Sequence, residues 1–213
     1  MTLLLASSSP RRRELLAQIG LDFTVVPSGV DEDDLMRRLQ AAGPVPPEAL
    51  VTSLAAAKAR EVASRPSTPP GALVLAADTV VVLDGDVLGK PADEAHARQM
   101  LGRLAGRVHR VMSGVAVARA RHGLLLADVE VTAVRMAPMD PETIARYVAT
   151  GEPLDKAGSY AVQGLGSVLV ERIEGCYFNV VGLPLARTVR LLERFGLRVA
   201  DFWYAGNPAV RAT

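Results

Sequence analysis

Apolar residues recur along this chain in two alternating rhythms. Some stretches are continuous or follow a period of two, others a period of three to four, which predicts strands interleaved with helices. The first cluster, Leu3-Leu4-Leu5-Ala6, predicts a short strand. Ser9-Pro10 then supplies a helix cap followed by proline at the first helical position, and Gly20 closes that helix. Residues 23–26 predict a second strand and residues 33–42 a weak helix. A stronger helix spans residues 48–64, with Leu50, Leu54 and Val62 set among alanines. Residues 72–83 form a nearly continuous apolar strand ending at Asp84-Gly85, a hairpin signal that returns through Val87-Leu88. A helix opened by an acid covers 93–104, and a long hairpin pairs 108–118 with 124–135 around His122-Gly123. Between residues 128 and 135 the alternation predicts one solvated face. Residues 141–150 form a helix capped by Asp140, 167–173 a further strand, and 184–195 a closing helix.

The class that follows is mixed α/β with substantial antiparallel content, less regular than a doubly wound sheet. Two proline-rich stretches, 43–47 and 66–71, are loops, and no repeat or linker divides the chain. One domain is expected over residues 1–204, with a flexible tail over 205–213.

Composition narrows this picture. The 213 residues suit one domain of ordinary size, or one built as two lobes, and 49% hydrophobic content is enough for a sizeable core. A balance of 24 basic against 23 acidic side chains argues against nucleic-acid binding by bulk charge. Nine Trp, Tyr and Phe residues in all leave little for base stacking. Cys176 is the single cysteine, so neither an internal disulfide nor a thiolate zinc site is available, which fits a reducing compartment. The apolar run 2–6 follows no basic region and is too short for a signal segment. No stretch approaches the ~18 apolar residues of a membrane span. A cytoplasmic protein without a membrane partner is expected.

Four places carry candidate chemistry. Ser7-Ser8-Ser9-Pro10-Arg11-Arg12-Arg13 puts hydroxyls and guanidinium groups at a strand-to-helix turn. Cations are unfavourable at a helix N-terminus unless an anion joins them, so the pattern suits a phosphate cradle or, more plainly, an exposed basic turn. Asp31-Glu32-Asp33-Asp34 is an ordinary acidic helix start that acquires interest beside a metal-bound polyphosphate. Asp78, inside Ala76-Ala77-Asp78-Thr79-Val80-Val81, is costly to bury unless paired, metal-bound or held by backbone N–H groups. Lys90, in Leu88-Gly89-Lys90-Pro91, is a surface lysine or a phosphate contact one hairpin from Asp78.

Other patterns fail. Gly85 to Gly89 is one residue short of a P-loop and Pro91 replaces its Ser/Thr, while Gly164-Leu165-Gly166 lacks the third glycine of a dinucleotide fingerprint. His96, His109 and His122 lack metal-ligand spacing, Cys176 is a packed thiol rather than a nucleophile, and no nucleophile elbow is present.

Taken in order, Ala6-Ser7-Ser8-Ser9-Pro10-Arg11-Arg12, Ala77-Asp78-Thr79, Gly89-Lys90-Pro91 and the segment from His109 to Val115 resemble the signature of the Maf nucleotide pyrophosphatases. So do Glu152-Pro153-Leu154-Asp155-Lys156-Ala157-Gly158, Gln163-Gly164 and the segment from Asn179 to Pro184. Ser113 stands where threonine is common and Cys176 where serine is common, both mild departures.

The resemblance implies a two-lobed α/β fold related to the inosine-triphosphate pyrophosphatases, with a central cleft, a divalent metal (Mg²⁺ or Mn²⁺) and commonly a homodimer. By position, Asp78 matches the family's catalytic proton acceptor, and Arg12, Thr79 and Gln163 match positions tied to substrate choice. Ser7, Arg11, Glu32, Lys58, Lys90, Asp155 and Lys156 match other polar positions of the cleft. On this expectation Arg11, Arg12, Lys58 and Lys90 hold a triphosphate, Glu32 and Asp78 hold the metal, and Thr79 and Gln163 read a pyrimidine. The segment from Gly158 to Gly164 is similar to the branch acting on dTTP and UTP. The alternatives are the same chemistry on 7-methyl-GTP or another non-standard nucleotide, or a nucleotide-binding regulator of cell division.

Overall fold

A computed structural model of the chain describes residues 1–41 and 43–203; the tail expected over 205–213 and the last residue of the helix expected over 33–42 lie outside them. In chain order the elements are β1 (Leu3–Leu5), α1 (Pro10–Gln18), β2 (Thr24–Val25), α2 (Glu32–Ala41), α3 (Pro47–Ala63) and β3 (Leu73–Leu83). They continue with β4 (Asp86–Leu88), α4 (Glu94–Leu104), β5 (Val108–Arg119), β6 (Leu125–Met136) and α5 (Pro141–Ala149). After three 3₁₀ turns come β7 (Val170–Glu174), α6 (Tyr177–Val181) and α7 (Leu185–Arg194). Among the described residues seven strands form one mixed sheet in the order β2-β1-β3-β5-β6-β7, with β4 on β3. β1 runs parallel to both β2 and β3, whereas β3–β4 and β6–β7 are antiparallel. The expected mixed α/β class is therefore the observed one.

Local chemistry explains most of these elements. Ser9 caps α1, its hydroxyl accepting from the Arg12 N–H, with Pro10 at the first position. Gly20, at φ +78, turns the chain out of that helix. Asp84 and Gly85 both take positive φ, the two-residue turn that matches strand twist, and Leu83 pairs with Asp86 across it. Asp93 and Asp140 cap α4 and α5 by accepting from the N–H groups of His96 and Thr143.

The chain packs as two compact units, with β3, β5 and β6 each contributing residues to both. The first comprises Met1–Asp78, Ser113–Glu130 and the described residues from Gly182 on; the second comprises Thr79–Met112 and Val131–Val181. The first core is rich in small side chains: Ala55, Ala56 and Ala59 of α3 meet Val74, Ala76, Ala116 and Ala118. Small residues let α3 lie close on the sheet, and at Gly114 a Cβ would come within 2.3 Å of the Val51 carbonyl oxygen. The second core uses larger groups, among them Leu83, Leu101, Leu104, Met136, Ile144, Tyr147 and Tyr160.

The structure corrects two expectations and adds turns where none were assigned. Residues 164–169 form a 3₁₀ turn and the strand begins only at Val170. Gly164 at φ +66 and a hydrogen bond from Ser167 Oγ to its carbonyl (2.7 Å) curl the backbone, leaving Val168 80% exposed. The segment 152–159 holds two further 3₁₀ turns, set by positive φ at Gly151 and Gly158. The face expected to be solvated along β6 is in part an ion-pair surface: Asp128 and Glu130 both receive hydrogen bonds from Arg187 of α7, at 2.6 and 2.7 Å. Elsewhere the predicted boundaries agree to one or two residues, apart from the unforeseen α6. No helix among the described residues is long and apolar enough to cross a membrane.

Candidate active site

The first unit gathers charge around one buried lysine. Regular helix geometry carries Lys58 to the inner side of α3, where it is 7% exposed. Its Nζ donates to Asp78 Oδ1 at 2.6 Å and lies 2.8 Å from Glu32 Oε1. Asp78 closes the apolar half of β3 and is itself 7% exposed, so the cost of burying its charge is offset by the ammonium rather than by backbone N–H groups. Glu32 opens α2 and keeps half of its side chain in solvent. The acidic run thus divides its labour. Asp31 accepts from the Asp34 N–H as a cap, Asp34 pairs outward with Arg37 and Arg38, and Glu32 turns to Lys58.

The basic turn faces the same charges. Ser7 Oγ accepts from the Ser9 N–H and from Arg12 Nη1, each at 3.2 Å, while Arg12 Nε donates to the Gly182 carbonyl at 2.9 Å. Burial lowers the Arg12 pKa, with Asp78 and Glu32 pulling it back up and the neighbouring Arg11 adding to the lowering. The first-turn cation therefore lies in the field of two carboxylates of its own unit, and Arg11 stands half-buried beside it.

The other five predicted residues belong to the second unit. Thr79 follows Asp78 on β3 and is half-buried; Lys90 is exposed beyond β4. The Gly158 N–H donates to the Gly89 carbonyl (3.0 Å), and a Cβ at Gly158 would meet Val81 at 2.9 Å. That close approach seats the Asp155–Lys156 turn beside the Lys90 segment. Lys156 Nζ contacts Asp155 Oδ1 at 2.6 Å and also donates to the Glu152 carbonyl. Gln163 is exposed, in extended backbone just ahead of the 164–169 turn.

Two residues without a role in the sequence reading organise this region. The Glu152 carboxylate accepts from Tyr147 Oη (2.8 Å), the Gly166 N–H (2.9 Å) and the Leu165 N–H (3.0 Å). Those backbone bonds, with Tyr147, hold the Glu152 pKa down against the opposing pull of desolvation. The signals in the sequence were the family block that begins at Glu152 and the unexplained Gly164-Leu165-Gly166. His109 proves to be a packed residue: it is 2% exposed, with Nε2 2.7 Å from Tyr160 Oη. Burial lowers its pKa to about 4.

Residues 2–195 match the family model of Maf-like proteins. The chain belongs to the Maf family. A dTTP/UTP pyrophosphatase of Symbiobacterium thermophilum is 53% identical over 194 residues, covering 91% of this chain and 94% of that relative. One of Moorella thermoacetica is 53% identical over 201 residues, covering 94% and 97%. One of Gloeobacter violaceus is 51% identical over 197 residues, covering 92% and 97%.

Glu32 and Asp78 aim one oxygen each at a single cation, Lys58 Nζ. Among the described residues no group of three or more His, Cys, Asp or Glu side chains is placed to hold a metal ion by itself. Two carboxylates suit Mg²⁺ or Mn²⁺ that completes its shell with water and substrate phosphates, and do not suit an all-protein cage.

Proposed function

We propose that this Maf protein hydrolyses dTTP and UTP to the nucleoside monophosphate and pyrophosphate. The observation that carries the reading is the Glu32–Lys58–Asp78 cluster facing Arg12, a paired acid–base set beside a cationic turn. It is supported by relatives at about half identity that bear that activity in their names.

Each residue then has a task. Arg11, Arg12, Lys58 and Lys90 bind the triphosphate and neutralise charge that would repel an incoming nucleophile. Asp78 accepts the proton of a water as its oxygen bonds to the α-phosphorus; the bond to the bridging oxygen breaks, and pyrophosphate leaves with the electron pair. A divalent metal held through Glu32 and Asp78 would supply Lewis-acid polarisation of the phosphate oxygens. Thr79 and Gln163 read the pyrimidine edge, since an amide matches the carbonyl and N–H pattern of thymine or uracil. Ser7 orients Arg12, and Asp155 and Lys156 line the nucleotide path. The reading also includes a cytoplasmic homodimer, supported by the family resemblance and by a chain whose one cysteine permits no internal disulfide; light scattering on the purified protein tests the dimer.

A product assay with Mg²⁺ and separately Mn²⁺, offering dTTP, UTP, CTP, GTP and 7-methyl-GTP, tests the reaction. Monophosphate and pyrophosphate from dTTP and UTP are expected. The same products from 7-methyl-GTP alone would overturn the role of Gln163. Turnover of none would bring forward the nucleotide-binding regulator.

A further inference from the structure

We propose that Glu152 and Tyr147 are positioning residues that clamp the Gln163 segment and thereby set which base the protein accepts. The proposal rests on reading Gln163 as the group that meets the base. Gln163 sits in the short stretch between Ala161 and Gly166, and the clamp holds both of its ends. Upstream, the Ala161 N–H donates to Tyr147 Oη at 3.2 Å. The Tyr147 hydroxyl in turn donates to Glu152 Oε1 at 2.8 Å. Downstream, the Gly166 N–H donates to the same Oε1 and the Leu165 N–H to Oε2. One phenol and one carboxylate thus fix three backbone N–H groups around an exposed glutamine.

The glycines that fail as a dinucleotide fingerprint find their reason here. At Gly164 a Cβ would lie 2.6 Å from Glu152 Oε2, on backbone of φ +66. At Gly166 it would lie 2.4 Å from the Ala161 carbonyl oxygen and 2.5 Å from Tyr147 Oη. Both positions are empty so that the carboxylate and the phenol can reach main chain. Tyr147 is anchored in turn by its burial in the second core. Glu152 also belongs to the 3₁₀ turn that bears Asp155, and its carbonyl accepts from Lys156. A carboxylate in this place accepts every hydrogen bond offered to it, and no neutral isostere does the same. In Glu152→Gln the amide NH₂ must face either the Leu165 N–H or the Gly166 N–H and Tyr147 Oη, so a backbone donor loses its acceptor.

The test compares kcat and KM for dTTP, UTP and GTP in the wild type, Gln163→Ala, Glu152→Gln, Tyr147→Phe and the Glu152→Gln/Gln163→Ala double variant. Glu152→Gln is expected to raise KM for dTTP and UTP about tenfold with a smaller change in kcat, and to lower the pyrimidine-to-GTP ratio of kcat/KM by about tenfold. On the Gln163→Ala background the same change is expected to leave that ratio within about twofold, because the clamp acts through Gln163. Hydrogen exchange at the Leu165 and Gly166 amides should quicken in Glu152→Gln. Tyr147→Phe, which removes a single oxygen, gives the same direction at about threefold should Glu152→Gln fold poorly. A wild-type ratio in both clamp variants, with the ratio lost in Gln163→Ala, would overturn the clamp and leave the role of Gln163 standing. An unchanged ratio in Gln163→Ala would overturn the role of Gln163, and the clamp with it.

Discussion

The two units hold their polar groups in opposite ways. In the first, Glu32, Lys58 and Asp78 stand on α2, α3 and β3, and regular backbone fixes where each side chain points. Side chains there meet side chains: one ammonium joins two carboxylates. In the second, Asp155, Lys156 and Gln163 stand on or beside 3₁₀ turns whose course depends on positive φ at Gly151, Gly158 and Gly164. Side chains there meet main chain, since Glu152 and Tyr147 hold N–H groups that no helix or strand satisfies. A reacting group gains from a rigid scaffold, because misplacement by ~1 Å costs up to ~10²-fold in rate. A segment that selects a base can be shaped by turns, provided something pins them. On the proposed function, the contrast sets Glu32, Lys58 and Asp78, which would make the reaction, against Gln163, which would read the base.

The largest effect should come from the first unit. Asp78→Asn is expected to reduce turnover of dTTP by ~10²–10⁴ with little change in KM. A change in KM alone would place Asp78 with the binding groups and break the contrast. Lys58→Met leaves Asp78 buried beside Glu32 without the shared cation, and should lower unfolding free energy in urea by about 3 kcal/mol. Equal stability would mean the cluster is not held together by its charges.

In the second unit the sharpest stability effect should depend on pH. Burial lowers the His109 pKa to about 4 in the folded chain against about 6.5 when unfolded, so the unfolded chain takes up the proton first. Its contribution is complete above ~pH 6.5 and is lost as pH falls toward 4, by about 3 kcal/mol in full. His109→Gln, neutral throughout, should flatten that acid limb in denaturation measured at about pH 7 and about pH 5. An unaltered slope would assign acid sensitivity elsewhere. The smallest effect is a control: Arg146→Ala removes an exposed i,i+4 pair with Glu142 on α5 and should change neither stability nor selectivity measurably.

The same contrast explains what the sequence made legible. Asp78 stood out because a carboxylate amid Leu73–Ala77 demands a partner, and Ser9-Pro10 and Asp84-Gly85 declare their turns through local chemistry alone. Lys58 announced nothing in an alanine-rich helix; only the family pattern pointed to it, because its role depends on a contact 20 residues away in sequence. The acidic run at 31–34 could not reveal that Glu32 alone turns inward, which follows from helix phase and tertiary packing. Residues 167–169 read as strand because Val168 and Leu169 are β-branched or apolar, whereas Gly164 and the Ser167 hydroxyl decide the backbone. The joint role of Glu152 and Tyr147 was hidden for a related reason: their partners are N–H groups, which carry no residue identity.

The most direct test of the account sets the wild type beside Asp78→Asn with dTTP and Mg²⁺ and identifies the products. The account predicts dTMP and pyrophosphate from the wild type and almost none from the variant, with both proteins folded. Release of dTDP and orthophosphate by the wild type, or undiminished dTMP release by the variant, would contradict it.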